Sequence, residues 1–204
     1  MFKKFAFILL ASCVCCSAFA DDCVKYKQMP RVKIKNPVHE NHFIQPDEPM
    51  DKLHGTVLAT LVQDFDLVVD IISKDYGYCV VLKGLDASVG YNDFLVKIDK
   101  SHRRGSCSYS AILNHEKKHI DAYLSVIKDM NSDIKDSVYN AANSVMPIFV
   151  DSRDEIDTVI EKMNYQIQSH PAVILIKQKI NAAQEIRNKR VDQNEDNHEL
   201  KICL

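Results

Sequence analysis

Short apolar runs rich in β-branched residues fill the chain between about residues 32 and 99, whereas beyond Tyr109 apolar residues recur every three or four positions. The first spacing suits strands and the second suits helices. Val32-Lys33-Ile34-Lys35 alternates and predicts a short N-terminal strand, in a stretch from Asp21 to about Met50 otherwise rich in Pro and polar residues and read as irregular. His54 to Ser73 is dense in Val, Leu and Ile; its pattern alone fits strand or helix. Tyr78 to Ser88 and Phe94 to Asp99 read as two strands joined by a turn at Gly90-Tyr91-Asn92-Asp93.

The stretch from Tyr109 to Met130 contains neither Gly nor Pro, and Ile112, Ile120, Tyr123, Ile127 and Met130 fall on one helical face, with Ile134 beyond. Ser108 or Ser110 suits the N-cap, and the helix is expected to run to about Ser144, ahead of Pro147. A second helix is expected from near Asp151, with Ile156, Val159, Ile160, Met163 and Ile167 on its stripe and Asp151, Asp154 and Glu155 at its positive end. His170-Pro171 interrupts it, and a third helix runs from about Ala172 toward Asn188 or beyond. Strands first and helices after give an α+β class. The expectation is a small, mostly antiparallel sheet followed by one long helix and two further helices.

Inside the first helix lies His115-Glu116-Lys117-Lys118-His119, an H-E-x-x-H string. Histidines four apart on a helix share a face, so both imidazoles can reach one Zn²⁺ while the intervening glutamate polarises the attacking water. At 100° per residue Glu116 projects from the middle of the apolar stripe, with His115 and His119 toward one edge and Lys117, Lys118, Asp121 and Lys128 opposite. A carboxylate in a buried face is costly unless it is paired or ligating, and an ordinary amphipathic helix would carry Leu there. The string thus marks a metal-assisted hydrolase, with Glu116 as general base and His115 and His119 as zinc ligands.

Composition narrows the setting. Residues 1–20 have the form of an export signal: Lys3 and Lys4, an apolar stretch from Phe5 to Cys16, and an Ala18-Phe19-Ala20 cleavage site. Leu10-Ala11-Ser12-Cys13 resembles a lipobox, but the residues after Cys13 stay apolar to Ala20, so cleavage before Asp21 is the favoured reading and residues 21–204 form one domain. No later run is long enough to span a membrane. Of seven cysteines, Cys23, Cys79, Cys107 and Cys203 remain after such processing, an even number suited to two disulfides in an exported chain. The nested arrangement, 79 with 107 and 23 with 203, is expected. A net charge of −2 and a pI near 6.4 leave no basic footprint for nucleic acid, and His102-Arg103-Arg104 reads as a solvated turn. His39 and His42, in a polar segment, read as free histidines.

This order of elements resembles zinc peptidases of the zincin type. The stretch from Val89 to Tyr123, with Val96-Lys97-Ile98-Asp99, Gly105-Ser106-Cys107 and His115 to His119, is similar more narrowly to secreted bacterial proteins regarded as zinc-dependent proteases. The resemblance implies a sheet edge beside the zinc that pairs with an extended peptide substrate, a place Phe94 to Asp99 would take here. A glycine and third histidine shortly after the pair, as in metzincins, are not found, since Ala122 and Ser125 stand there.

Two histidines do not hold a catalytic zinc; a third protein ligand is needed. Asp121 projects from the wrong face. Asp154, Glu155 and Glu161 are candidates, although the first two serve equally as helix-start acids. Asn188-x-x-x-Asp192-x-x-Glu195-x-x-His198 is richer, and the resemblance implies an acidic cluster near this point. Asp192 or Glu195 is the expected ligand, His198 the next choice. The expectation is therefore a secreted or periplasmic zinc-dependent peptidase acting on a peptide or protein substrate. The alternative is a non-catalytic zinc-binding or structural envelope protein. Tyr109 and Tyr123 lie close enough to assist but serve equally as core aromatics.

Overall fold

A computed structural model of the chain describes residues 23–50, 54–194 and 202–203. The signal sequence expected over residues 1–20 lies outside them. The chain is organised around one long hairpin. Strand β3 (Gly55–Lys74) and strand β4 (Gly77–Ile98) pair antiparallel along their whole lengths through a two-residue turn at Asp75-Tyr76. On its other side β4 is covered end to end by three short strands. Strand β5 (Ile148–Val150) pairs antiparallel with Tyr78–Val80, strand β1 (Arg31–Lys35) parallel with Gly84–Ser88, and strand β2 (Glu40–Ile44) parallel with Asp93–Lys97. Strand β4 is thus central, and Val80, Leu82, Leu85, Val89, Tyr91, Phe94, Val96 and Ile98 along it are buried. Among the described residues no strand covers the outer edge of β3.

Helix α1 (Cys107–Asp129), helix α2 (Asn131–Ser144), helix α3 (Ile156–Gln168) and helix α4 (Pro171–Asn194) complete the fold. Their apolar stripes, including Ile112, Tyr123, Ile127, Val138, Met163, Ile167 and Ile180, join the inner residues of β4 in a single core. Among the described residues no helix is long and apolar enough to cross a membrane.

The class is α+β, but the small, mostly antiparallel sheet expected from the sequence is not what forms. The sheet is mixed, with β1 and β2 joining in parallel, and its two main strands run to 20 and 22 residues. Gly90 to Asp93 makes no turn. Asn92 and Asp93 together oppose Thr60 as an irregularity of the ladder, and Tyr91 points into the core, so the two expected strands are one. His39 to His42, read as irregular, largely belongs to β2.

The helical half also differs in detail. The long helix stops at Met130, whose φ of −92° and ψ of 6° bend the chain while its N–H still bonds Val126. Both resulting stripes, Val126 and Ile127 before the bend and Ile134 and Val138 after it, remain buried. The N-cap of α1 is Ser106, whose hydroxyl accepts from the N–H of Tyr109. Ser152 and Glu155 form a capping box on a 3₁₀ turn (Arg153–Glu155) that leads into α3. Pro171 begins α4, where a missing N–H costs nothing.

The nested disulfide arrangement is overturned. Cys23 pairs with Cys79 and Cys107 with Cys203, at Cα separations of 5.5 and 5.3 Å. Cys79 sits at the turn end of β4 and Cys107 beyond its other end. About 60 Å of path along the strand separates them, an order of magnitude beyond a disulfide's Cα span.

Candidate metal centre

Helix α1 carries His115, Glu116 and His119 on the side facing the start of β3 and the end of α4. Ile112, Ile120, Tyr123 and Ile127 anchor that side in the core, which leaves the two imidazoles half-buried with ring centroids 4.7 Å apart. Tyr123 itself stacks edge-on against Tyr91 and Phe94, so the floor beneath the motif is a rigid aromatic cluster.

The third group comes from α4, which crosses α1 and is bonded to its neighbours at successive turns. Gln184 accepts from the hydroxyl of Tyr91 at 2.6 Å, and burial pushes that phenol's pKa above its ordinary value. Arg187 reaches Ser125 and Asp129 of α1. One residue on, the side-chain oxygen of Asn188 lies 3.1 Å from Nδ1 of His119. An amide oxygen can only accept, so Nδ1 carries the hydrogen and Nε2 keeps its lone pair. One turn further, Oδ1 of Asp192 lies 3.1 Å from Nε2 of His119 and 3.5 Å from Nε2 of His115.

These three donors form a nearly equilateral set, since the two Nε2 atoms are themselves 3.1 Å apart. Ligands about 2.0–2.1 Å from a tetrahedral ion are separated by about 3.3 Å, and the three measured distances bracket that figure. His115, His119 and Asp192 could therefore hold one divalent cation, with Asp192 closing the group from its exposed side. Two neutral imidazoles with a carboxylate suit a divalent transition metal.

Glu116 is only 4 % exposed, as its position in the apolar stripe requires. Close by is Gly55, the first residue of β3. A methyl group there would stand 2.5 Å from Oε1 of Glu116 and 2.7 Å from Ile112, so the strand reaches this carboxylate only because residue 55 has no side chain. The cleft so framed holds about 380 Å³ and is lined by His54 to Val57, Glu116, both motif histidines, Tyr123, Asn188 and Asp192.

The expected substrate edge needs correction. Of the expected stretch, Phe94 to Lys97 is interior, paired with β2 on one side and β3 on the other, so it has no free edge. The edge beside the cleft belongs to β3. His54 C=O accepts from Asp99 N–H, which makes 54 and 99 a hydrogen-bonded pair. By the antiparallel alternation, the N–H and C=O of Gly55 and Val57 then face outward. Further along, Asn164 of α3 donates to the carbonyl of Phe65 and closes the edge.

Of the other residues singled out, Glu195 and His198 lie outside the described residues. Asp154, Glu155 and Glu161 are on the exposed side of the 3₁₀ turn and α3, away from the cleft, and Asp121 is exposed on α1. His42 on β2 lies beside Glu40 of its own strand and Asp93 of β4, and His39 packs on Phe94. Tyr109 is partly buried against the core and lines no part of the cleft. His102 is buried rather than solvated and meets His54. Gly55, His54 and Asn188 had no assigned role in the sequence; only the four-residue step from Asn188 to Asp192 hinted at a shared face. Set against protein-family models, curated proteins and solved structures, the chain matches none.

Proposed function

We propose that this protein is an exported zinc-dependent peptidase. The observation that carries the reading is the convergence of His115 Nε2, His119 Nε2 and Asp192 Oδ1 within 3.5 Å of one another, beside the buried carboxylate of Glu116. Zinc bound there supplies Lewis acidity, polarising the scissile carbonyl and acidifying the attacking water toward neutral pH.

The protein's own residues do the rest. Asn188 holds His119 in the tautomer that presents Nε2. Glu116 accepts a proton from the attacking water and returns it to the leaving amine, so that one peptide bond and one water give one carboxylic acid and one amine. Burial beside Gly55 and Ile112 keeps that carboxylate in one orientation. The outward peptide groups of Gly55 and Val57 bond an extended substrate main chain without regard to its side chains. Two disulfides suit an oxidising compartment outside the cytosol, in keeping with the export signal expected at the N-terminus.

The test is zinc content by plasma mass spectrometry on oxidised protein beginning at Asp21, followed by hydrolysis of an unfolded protein substrate. The expected result is one zinc per chain, lost in the His115→Ala/His119→Ala variant and weakened by Asp192→Asn. Protein with intact disulfides that takes up no zinc would sink the reading. Stoichiometric zinc with no hydrolysis would favour a non-catalytic zinc protein.

A further inference from the structure

We propose that the groove between β3 and α4 binds a long stretch of extended polypeptide, added as a strand along Gly55 to Gln63, and that a second, apolar pocket at the far end of this groove takes one of its side chains. The proposal rests on the peptidase reading above and names the substrate as an unfolded chain rather than a short peptide.

The edge of β3 is open over a defined length. The carbonyl of Phe65 points away from β4, since the side-chain amide of Asn164 reaches it from the edge. Counting back by twos, the peptide groups of Gln63, Leu61, Ala59, Val57 and Gly55 face the same way, in phase with the bond between His54 and Asp99 at the start of the strand. Among the described residues no strand pairs with them. Residues 55 to 63 read Gly-Thr-Val-Leu-Ala-Thr-Leu-Val-Gln, with neither a charge nor a proline. Sheet edges normally carry charges, proline or a covering element, because a bare edge recruits other strands. Strand β3 has that protection immediately beyond, in Asp64, Asp66 and Asp70 and in the Asn164 bond. It is bare only where it borders the metal cleft and the continuation of that cleft.

The opposite wall is one face of α4. Strand β3 and α4 scarcely touch, and the space between them forms a channel. Asn188 and Asp192 border both the metal cleft and a middle depression along α4, and Asn181 borders both that depression and a far pocket. Ile174, Gln178, Asn181, Glu185, Asn188 and Asp192 recur every three or four positions along this wall. From Ile174 to Asp192 is five full turns, or about 27 Å. From Gly55 to Gln63 is also about 27 Å of strand. The two walls are therefore matched in length, and the channel accommodates about eight extended residues.

The far pocket differs in chemistry from the metal cleft. It holds about 550 Å³, and Leu61, Phe65, Val173 and Ile174 give it apolar walls. Ile174 is 45 % exposed, a large apolar side chain on the groove's surface. Side chains on every second residue of an added strand point toward the helices, so one of them enters this pocket while the main chain passes the metal cluster. The occupant is the substrate because the bare edge, the helix wall and the donors His115, His119 and Asp192 share a single channel.

Binding to the metal-free, full-length mature protein tests the groove apart from catalysis. Fluorescein-labelled peptides of alternating Ser and Leu, four and ten residues long, would be titrated by fluorescence anisotropy. The longer peptide should bind about tenfold more tightly or better, the gain expected from two or more added main-chain bonds. Only alternate peptide groups of an added strand face β3, so N-methylation of one alternate set should weaken binding about tenfold while the other set has little effect. Ile174→Asp should remove most of the advantage of length. In the zinc-loaded protein, kcat/KM should rise with peptide length, and Ile174→Asp should lower the ratio of ten-residue to four-residue kcat/KM about tenfold. Affinity and turnover independent of length, or equal effects of both N-methylated sets, would overturn the groove and leave the peptidase reading standing. A dimer in sedimentation that peptide dissociates would give the edge to a second copy and overturn the proposal as well. Length-dependent binding without cleavage by zinc-loaded protein would instead remove the peptidase reading and support the groove as a polypeptide-binding site.

Discussion

The two ends of the β3–β4 hairpin are built from the same pair of strands by opposite means. At the turn end, Cys23–Cys79 is buried with Val81 and packed by Tyr26, Ile72 and Phe149, and β5 closes over Gly77. At the open end, His54, Asp99, His102 and Gln45 bond one another, and Gly55 lies on the Glu116 carboxylate. The first end holds the sheet by covalent and apolar contacts, and the second gives up apolar packing to orient polar groups. Damage at the turn end should therefore register as lost stability, and damage at the open end as lost chemistry.

The sharpest break in that comparison is expected at Glu116. Glu116→Gln should lower kcat by about 10²–10⁴-fold or more while zinc content and melting temperature stay close to wild type, as read by mass spectrometry and calorimetry. At the turn end, Cys23→Ser/Cys79→Ser should cost about 2–5 kcal/mol in denaturant unfolding, with kcat per folded molecule unchanged. A double variant with impaired turnover would show that the two ends are coupled.

Two glycines give a finer pair. Gly55→Ala forces Glu116 or Ile112 aside and should cost about 1–3 kcal/mol and about 10²-fold in kcat, since a displacement near 1 Å is enough. At Gly77 an added methyl would meet the carbonyl of Val150 at 2.2 Å, and φ is +156°. Gly77→Ala should match the stability loss, about 1–3 kcal/mol, and spare kcat. The smallest effect is expected from acid. Bonds from Ser101 and Met50, with His102 nearby, hold the pKa of Asp99 down to about 2 from an ordinary 3.8. Its contribution to stability is thus complete above the ordinary value and is lost as pH falls toward 2. The melting temperatures of wild type and Asp99→Asn should differ at pH 5 and converge near pH 2.

The sequence made the helical half readable because its signals are local. The Gly-free run before Met130, the stripe from Ile156 to Ile167 and the His170-Pro171 break each reflect interactions within a turn or two. Glu116 was legible for the same reason, as a charge misplaced in an apolar stripe. The bend at Met130 was not, since no Gly or Pro announces it. The sheet was largely hidden because its decisive facts are pairings between distant segments. Nothing local to Val32 or Phe43 says that they join β4 in parallel, and Gly90 to Asp93 has turn composition but lies within a continuous strand. Asp192 could be named as a candidate because it stands with Glu195 in an acidic run toward the end of the last helix. Its convergence on His115 and His119 depends on how α4 crosses α1, and Gly55 and His54 on a strand end that the sequence left undecided between two structures.

Asp192 is 77 positions downstream of His115, and Cys107, at the head of α1, is bonded to Cys203. A growing chain that has emerged only as far as α3 already carries both histidines and the glutamate, but neither the carboxylate that joins them nor the bridge that secures the tail. The order of synthesis thereby withholds the complete cluster until α4 has emerged, and a reducing compartment withholds the bridge for longer. Any chemistry that depends on all three donors is therefore absent while the chain is still being made.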